Sequence, residues 1–240
     1  MRFATLALLV VGPLFAQPGG PYGSIADVKL AKPEDGKDQP TTPAPAGAKI
    51  LFDGKSLDGW QSRGGNKPAP WKLLEGGIMQ SGGGDILTKE KFAGPFKLHV
   101  EFRVPYMPKA SGQGRGNSGV YVQGRYEVQV LDSYGLKSQN NDCGAIYTVA
   151  APLVNACKAP TVWQSYDIDF TPPPCANGKK TGKAVMTVHQ NGILIHDKVP
   201  ITSDNTTSGN GGDPCTPGPI MLQDHGNPVQ FRNVWMIEGK

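Results

Sequence analysis

Thr161-Val162-Trp163-Gln164-Ser165-Tyr166-Asp167-Ile168-Asp169-Phe170-Thr171 is the longest stretch free of glycine and proline beyond the N-terminal leader, and it is 11 residues long. Tyr166, Ile168 and Phe170 alternate in it with Ser165, Asp167 and Asp169. That period of two is the signature of a half-buried strand. Elsewhere the chain is interrupted more often, by 32 glycines and 22 prolines among 240 residues. A helix interior loses about 1 kcal/mol at Gly and about 3 at Pro, so helix bundles are excluded and parallel α/β folds have little room.

Outward from that stretch, alternation recurs at Phe96–Val104, Ser118–Gln123, Arg125–Leu131, Lys183–Gln190, Ile193–Val199, Ile220–Asp224 and Val229–Ile237. Shorter segments lie near Ile50, Trp71, Ile78 and Ile86. Asn191-Gly192 separates two of the longer ones and readily takes the positive φ angles of a two-residue hairpin turn. Their flanking strands are therefore antiparallel neighbours. About a dozen short strands with frequent turns predict an all-β, jelly-roll sandwich of two antiparallel sheets.

The 24 Lys and Arg against 20 Asp and Glu give a net charge of +4 without any basic run. Nucleic-acid and anionic-membrane partners, which need clustered cations, are demoted. Residues 1–16 carry Arg2 and then an apolar stretch from Phe3 to Phe15, too short to span a bilayer, and read as a signal peptide cut after Ala16. Export to the periplasm or the extracellular space is expected, with no membrane span in the mature chain. Residues 17–47 hold six prolines and few large apolar side chains, the composition of a disordered linker. The folded domain is expected over residues 48–240.

Export makes disulfides the default for Cys143, Cys157, Cys175 and Cys215, because no C-x-x-C spacing suggests structural zinc. Of three pairings, Cys143 with Cys157 and Cys175 with Cys215 are favoured, each closing an irregular segment.

Polar residues that could form a site lie on the strand Arg125–Leu131. Tyr126, Val128 and Val130 face one way, and Arg125, Glu127 and Gln129 the other. The strand follows Gly116-Asn117-Ser118-Gly119 and ends at Asp132. With Tyr121, Tyr134 and Trp163 nearby, fixed polar groups beside aromatic faces suit a sugar. A second group is Leu222-Gln223-Asp224-His225-Gly226 with Arg232 on the next strand, where Asp224 could orient His225. The polar side of Phe96–Val104, with His99, Glu101 and Arg103, reads as the wet coat of a sheet. His189 and His196 flank the hairpin and read as surface residues.

Leu51-Phe52-Asp53-Gly54 with Leu57-Asp58-Gly59-Trp60, Gly116-Asn117-Ser118-Gly119-Val120-Tyr121, Arg125 through Ser133, Gly144-Ala145-Ile146-Tyr147, and Leu222 through Gly226 with Arg232 through Trp235 together resemble the 3-keto-disaccharide hydrolase family. The resemblance spans nearly all of Ile50 to Ile237. It implies a concanavalin A-like jelly roll and a secreted or periplasmic enzyme that cleaves glycosides oxidised at carbon 3. The chain departs from the family's pattern at Trp163-Gln164, where Asn is commoner after the tryptophan, and in an insertion around Cys175.

A ketone at carbon 3 acidifies the hydrogen at carbon 2, so a base can remove it and the enolate can expel the carbon 1 substituent before water adds. Such a site needs an acid, a base and donors for the enolate oxygen. Glu127 and His225 are the expected acid/base pair, Arg125 or Arg232 the enolate stabiliser. Asn117, Tyr121, Gln129, Asp132, Trp163 and Gln223 are expected to bind the substrate, a small carbohydrate. No cofactor is implied. Asp132, Asp142 and Asp224 leave a divalent metal open, but no ligand spacing demands one. Two other readings are a non-catalytic carbohydrate-binding module and a two-carboxylate glycosidase built on Glu101 and Glu127.

Overall fold

The computed structural model describes residues 20–65 and 67–239, so the expected signal peptide lies outside the described residues. The strands are β1 (Lys49–Phe52), β2 (Trp60–Ser62), β3 (Lys72–Leu74), β4 (Ile78–Gln80), β5 (Ile86–Thr88), β6 (Phe96–Arg103) and β7 (Ser118–Val122). They continue with β8 (Tyr126–Val130), β9 (Gln164–Thr171), β10 (Cys175–Ala176), β11 (Lys179–Lys180), β12 (Ala184–Gln190), β13 (Ile193–Ile201), β14 (Met221–Leu222) and β15 (Gln230–Glu238). The only helical elements among the described residues are short 3-10 turns; irregular loops connect most of the strands.

Two main antiparallel sheets form the sandwich. One runs β13-β12-β9-β6-β15-β4-β3 with β1 also paired to β15; the other runs β2-β5-β14-β7-β8. The alternation in the opening stretch sets the first sheet's inner face, because Phe96, Leu98 and Val100 of β6 stand opposite Phe170, Ile168 and Tyr166 of β9. These residues, with Val120, Val128 and Val130 from the second sheet, are buried in one core. The β12–β13 hairpin turns on Asn191 and Gly192 with φ of 54° and 79°, as the dipeptide predicts.

The segment from Gly20 to Gly47, expected as a disordered linker, is instead an arm laid against the outer side of the eight-stranded sheet. Its Asp38 accepts the Trp163 amide at 2.9 Å, its Gln39 amide donates to the Trp163 carbonyl at 2.9 Å, and its Thr42 amide donates to Glu101 at 3.1 Å. Composition correctly shows an arm with few large apolar groups to bury. Polar contacts with residues far away in sequence hold it nonetheless.

Cys175 and Cys215 are joined, tying β10 to the loop before β14. The second expected bridge is not formed: Cys143 and Cys157 are free, buried thiols that share the Gln190 amide at 3.5 and 3.6 Å. His196, expected on the surface, is buried with its Nε2 2.8 Å from the Gly144 carbonyl oxygen.

Candidate functional site

The outer face of the five-stranded sheet collects most of the expected polar residues. Inward Val120, Val122, Val128 and Val130 force Gly119, Tyr121, Glu127 and Gln129 outward, and pairing sets Tyr121 opposite both Glu127 and Met221. Gln223 continues the line of β14, and its amide donates to the Gly119 carbonyl at 3.0 Å. Its side chain donates to the Tyr121 hydroxyl at 3.1 Å.

Glu127 leans diagonally over Gly119. A methyl group at position 119 would lie 2.4 Å from Glu127 Oε1 and 2.8 Å from Tyr121 Cε2, so this glycine is required by room rather than by backbone angle. Only 2% of Glu127 is exposed. Burial pushes its carboxyl up to about 7, with the Tyr121 hydroxyl acting against that rise and the negative charge of Asp85 adding to it. A buried carboxyl poised near neutrality on a polar face is what a general base or acid requires.

Further along the face, the Gln129 amide donates to Gln113 at 2.9 Å, and the Asn117 amide donates to the Gln113 carbonyl at 2.7 Å. Asn117 Oδ1 is buried and accepts no hydrogen bond from a described group. Such an orphan acceptor fits a ligand hydroxyl. Gln113 comes from a glycine-rich turn and has no alternating pattern to announce it.

The residues 202–219 wrap the edge beside Glu127. Thr206 donates to the Arg125 carbonyl at 2.9 Å and accepts the Glu127 amide at 3.1 Å. Arg125, expected at the reacting centre, spends its guanidinium on the Asp213 carbonyl at 2.7 Å and on Thr216 Oγ1 at 2.9 Å. It is a loop anchor. Arg63 adds a second tie, to the Gly209 carbonyl at 3.0 Å, while pairing with Asp85 at 2.9 Å.

His225 lies exposed, two residues past Gln223, and no hydrogen bond joins it to Glu127 among the described residues. Among the described residues no hydrogen bond joins Asp224 to the His225 ring; the Asp224 carboxylate accepts the Gly84 amide at 2.8 Å and the Gly226 amide at 3.0 Å. Asp132 is paired with Arg115 at 3.2 Å, and Asp142 accepts the Gln139 amide at 2.9 Å, so the three aspartates do not gather.

Arg232 and Trp163 belong to the other sheet. Arg232 Nε donates to Glu101 at 2.6 Å and its guanidinium lies 4.1 Å from the Trp163 ring. Of the residues read as a wet coat, His99 and Glu101 are buried there beneath the arm and Arg103 is half-buried: His99 Nδ1 is 2.9 Å from Asp167, and its ring stacks on Trp235 at 4.8 Å. Burial opposes ionisation of Glu101, yet hydrogen bonds from His99, Asn233 and Arg232 hold it down to about 2. Glu101 and Glu127 thus occupy outer faces of different sheets and cannot flank one glycosidic bond.

Residues 47–237 match the family model described as a 3-keto-alpha-glucoside-1,2-lyase-like domain. A 3-keto-disaccharide hydrolase of Bacteroides thetaiotaomicron is 24% identical over 231 residues, covering 77% of this chain and 76% of that protein. A candidate glycosyl hydrolase structure from Parabacteroides distasonis is 38% identical with a TM-score of 0.72, covering 82% of this chain and 85% of the other. A second candidate glycosyl hydrolase structure from the same organism, at 20% identity and TM-score 0.57, covers 80% of this chain and 94% of its own, and shares the fold.

Proposed function

Because the chain belongs to the 3-keto-alpha-glucoside-1,2-lyase-like domain family, we propose that it is an exported enzyme cleaving glycosides whose sugar is a ketone at carbon 3. Glu127 is the base. Its carboxylate takes the proton from carbon 2, the electron pair forms the enolate, and the carbon 1 to oxygen bond breaks. The protonated carboxyl then gives that proton to the departing oxygen. Water next adds at carbon 1, losing a proton to Glu127, which returns it to carbon 2.

Arg125 and Arg232 are committed elsewhere, so neutral donors on the face, Gln223 foremost, meet the enolate oxygen. Asn117 Oδ1 and Gln129 position sugar hydroxyls. The Cys175–Cys215 bond supports export, and no helix among the described residues is long and apolar enough to cross a membrane.

The observation that carries this reading is the Glu127 carboxyl, buried over Gly119 and held near 7. The test compares release of sugar from a 3-keto glucoside and from its unoxidised parent. Turnover of the keto compound alone is expected, and kcat/KM should fall as pH drops below about 7, where the base becomes protonated. Equal cleavage of both compounds would refute the elimination route, and binding without product would refute the enzyme.

A further inference from the structure

We infer that Tyr121 is the positioning residue of this face: its hydroxyl, oriented by Gln223, fixes where the Glu127 carboxyl lies and keeps it in the proton-accepting form. The inference rests on the proposal that Glu127 is the base. A tyrosine hydroxyl has one proton to give and lone pairs to accept with. Gln223 Nε2 donates into it at 3.1 Å, which leaves the hydroxyl's own proton for a different acceptor. The group facing it across the β7–β8 ladder is Glu127, and both side chains crowd the vacant space above Gly119.

The support beneath this chain of contacts is rigid. Gln223 is fixed on β14's continuation by its backbone, donating to Gly119 at 3.0 Å and accepting Ser118 Oγ at 2.6 Å. The Tyr121 ring is fully buried against Leu87 and Met221. Burial, with the negative charge of Glu127, holds the hydroxyl far above its ordinary ionisation range, so it stays a donor wherever the enzyme works. The nearby Tyr121 hydroxyl acts against the rise that burial imposes on Glu127. A hydrogen bond to a charged group shifts an ionisation equilibrium by about tenfold, or about one pH unit.

The experiment follows the Glu127 carboxyl by ¹³C NMR titration of the full chain, assigned with Glu127→Gln. In Tyr121→Phe, which keeps the ring, the midpoint should rise by about one unit. The acid limb of the kcat/KM profile on a 3-keto glucoside should move with it, at little change in KM. Gln223→Met, which frees the hydroxyl to rotate, should move the midpoint the same way by less. A merely structural tyrosine would lower the melting temperature and leave the titration alone. An unmoved midpoint in Tyr121→Phe overturns the inference, with the Gln223→Met titration deciding instead if the phenylalanine variant does not fold. If the midpoint moves while Glu127→Gln keeps full turnover, the hydroxyl still sets the carboxyl, and only the assignment of Glu127 as base fails.

Discussion

At position 119 one methyl group decides whether Glu127 has room. Gly119→Ala should push the carboxyl off its site, lowering kcat on a 3-keto glucoside by about 10²-fold or more while the far-ultraviolet circular dichroism is unchanged. Glu127→Gln should be as damaging to turnover but should stabilise the fold. With the folded-state carboxyl at about 7, above its ordinary 4.5, ionisation opposes folding. That penalty is absent below about pH 4.5, grows as pH rises, and is complete above about 7, where it amounts to up to about 3 kcal/mol. Thermal melts of the two proteins should therefore coincide near pH 4 and separate at pH 8, with the Gln variant melting higher. Equal melting at pH 8 would show that burial does not raise this carboxyl.

The arm and β15 behave as one element. The β6–β15 register shifts between Arg232 and Trp235, where Asn233 takes a φ of 46°, and this bulge turns both Arg232 and Asn233 toward the arm. Glu101 joins them, accepting from Thr42, Arg232 and Asn233. Glu101→Ala leaves those donors without their acceptor and should cost about 2 kcal/mol, read from urea unfolding. Acid should act in the same place. Glu101 is depressed to about 2, so its contribution is present above its ordinary 4.5 and is lost as pH falls toward 2. The Thr42 amide shift should report that release; a shift constant down to pH 2 would mean that the arm does not depend on this carboxylate. The strands and the hairpin were legible because alternation and Asn-Gly are local signals. The arm's docking and the bulge depend on partners 59 and more residues away, beyond any local pattern. Alternation also tells inward from outward but not which sheet a strand joins. Glu127, Tyr121, Gln129 and Gln223 fall on one outer face, as alternation within their strands allows, whereas Arg232 and Trp163 could not be told from their side.

For the molecule as a whole, the β10–β11 hairpin around Cys175 is a clamp on the residues 202–219, assisted by an ion pair between Lys180 and Asp204. The bond spans 40 residues, and closing a loop of that length is worth about 4 kcal/mol through the unfolded chain. Cys175→Ala with Cys215→Ala should therefore unfold at lower urea, and turnover should fall with it because the same loop holds the Glu127 amide through Thr206. Unchanged turnover in the still-folded variant would show that the loop is held by Arg125 and Arg63 alone. The arm also has a practical use. Tyr22 packs on Arg103 beside the eight-stranded sheet, so a bead or surface coupled ahead of Gly20 attaches on that flank. Immobilised this way, the molecule would turn its other broad side, which carries Glu127, to the bulk solution.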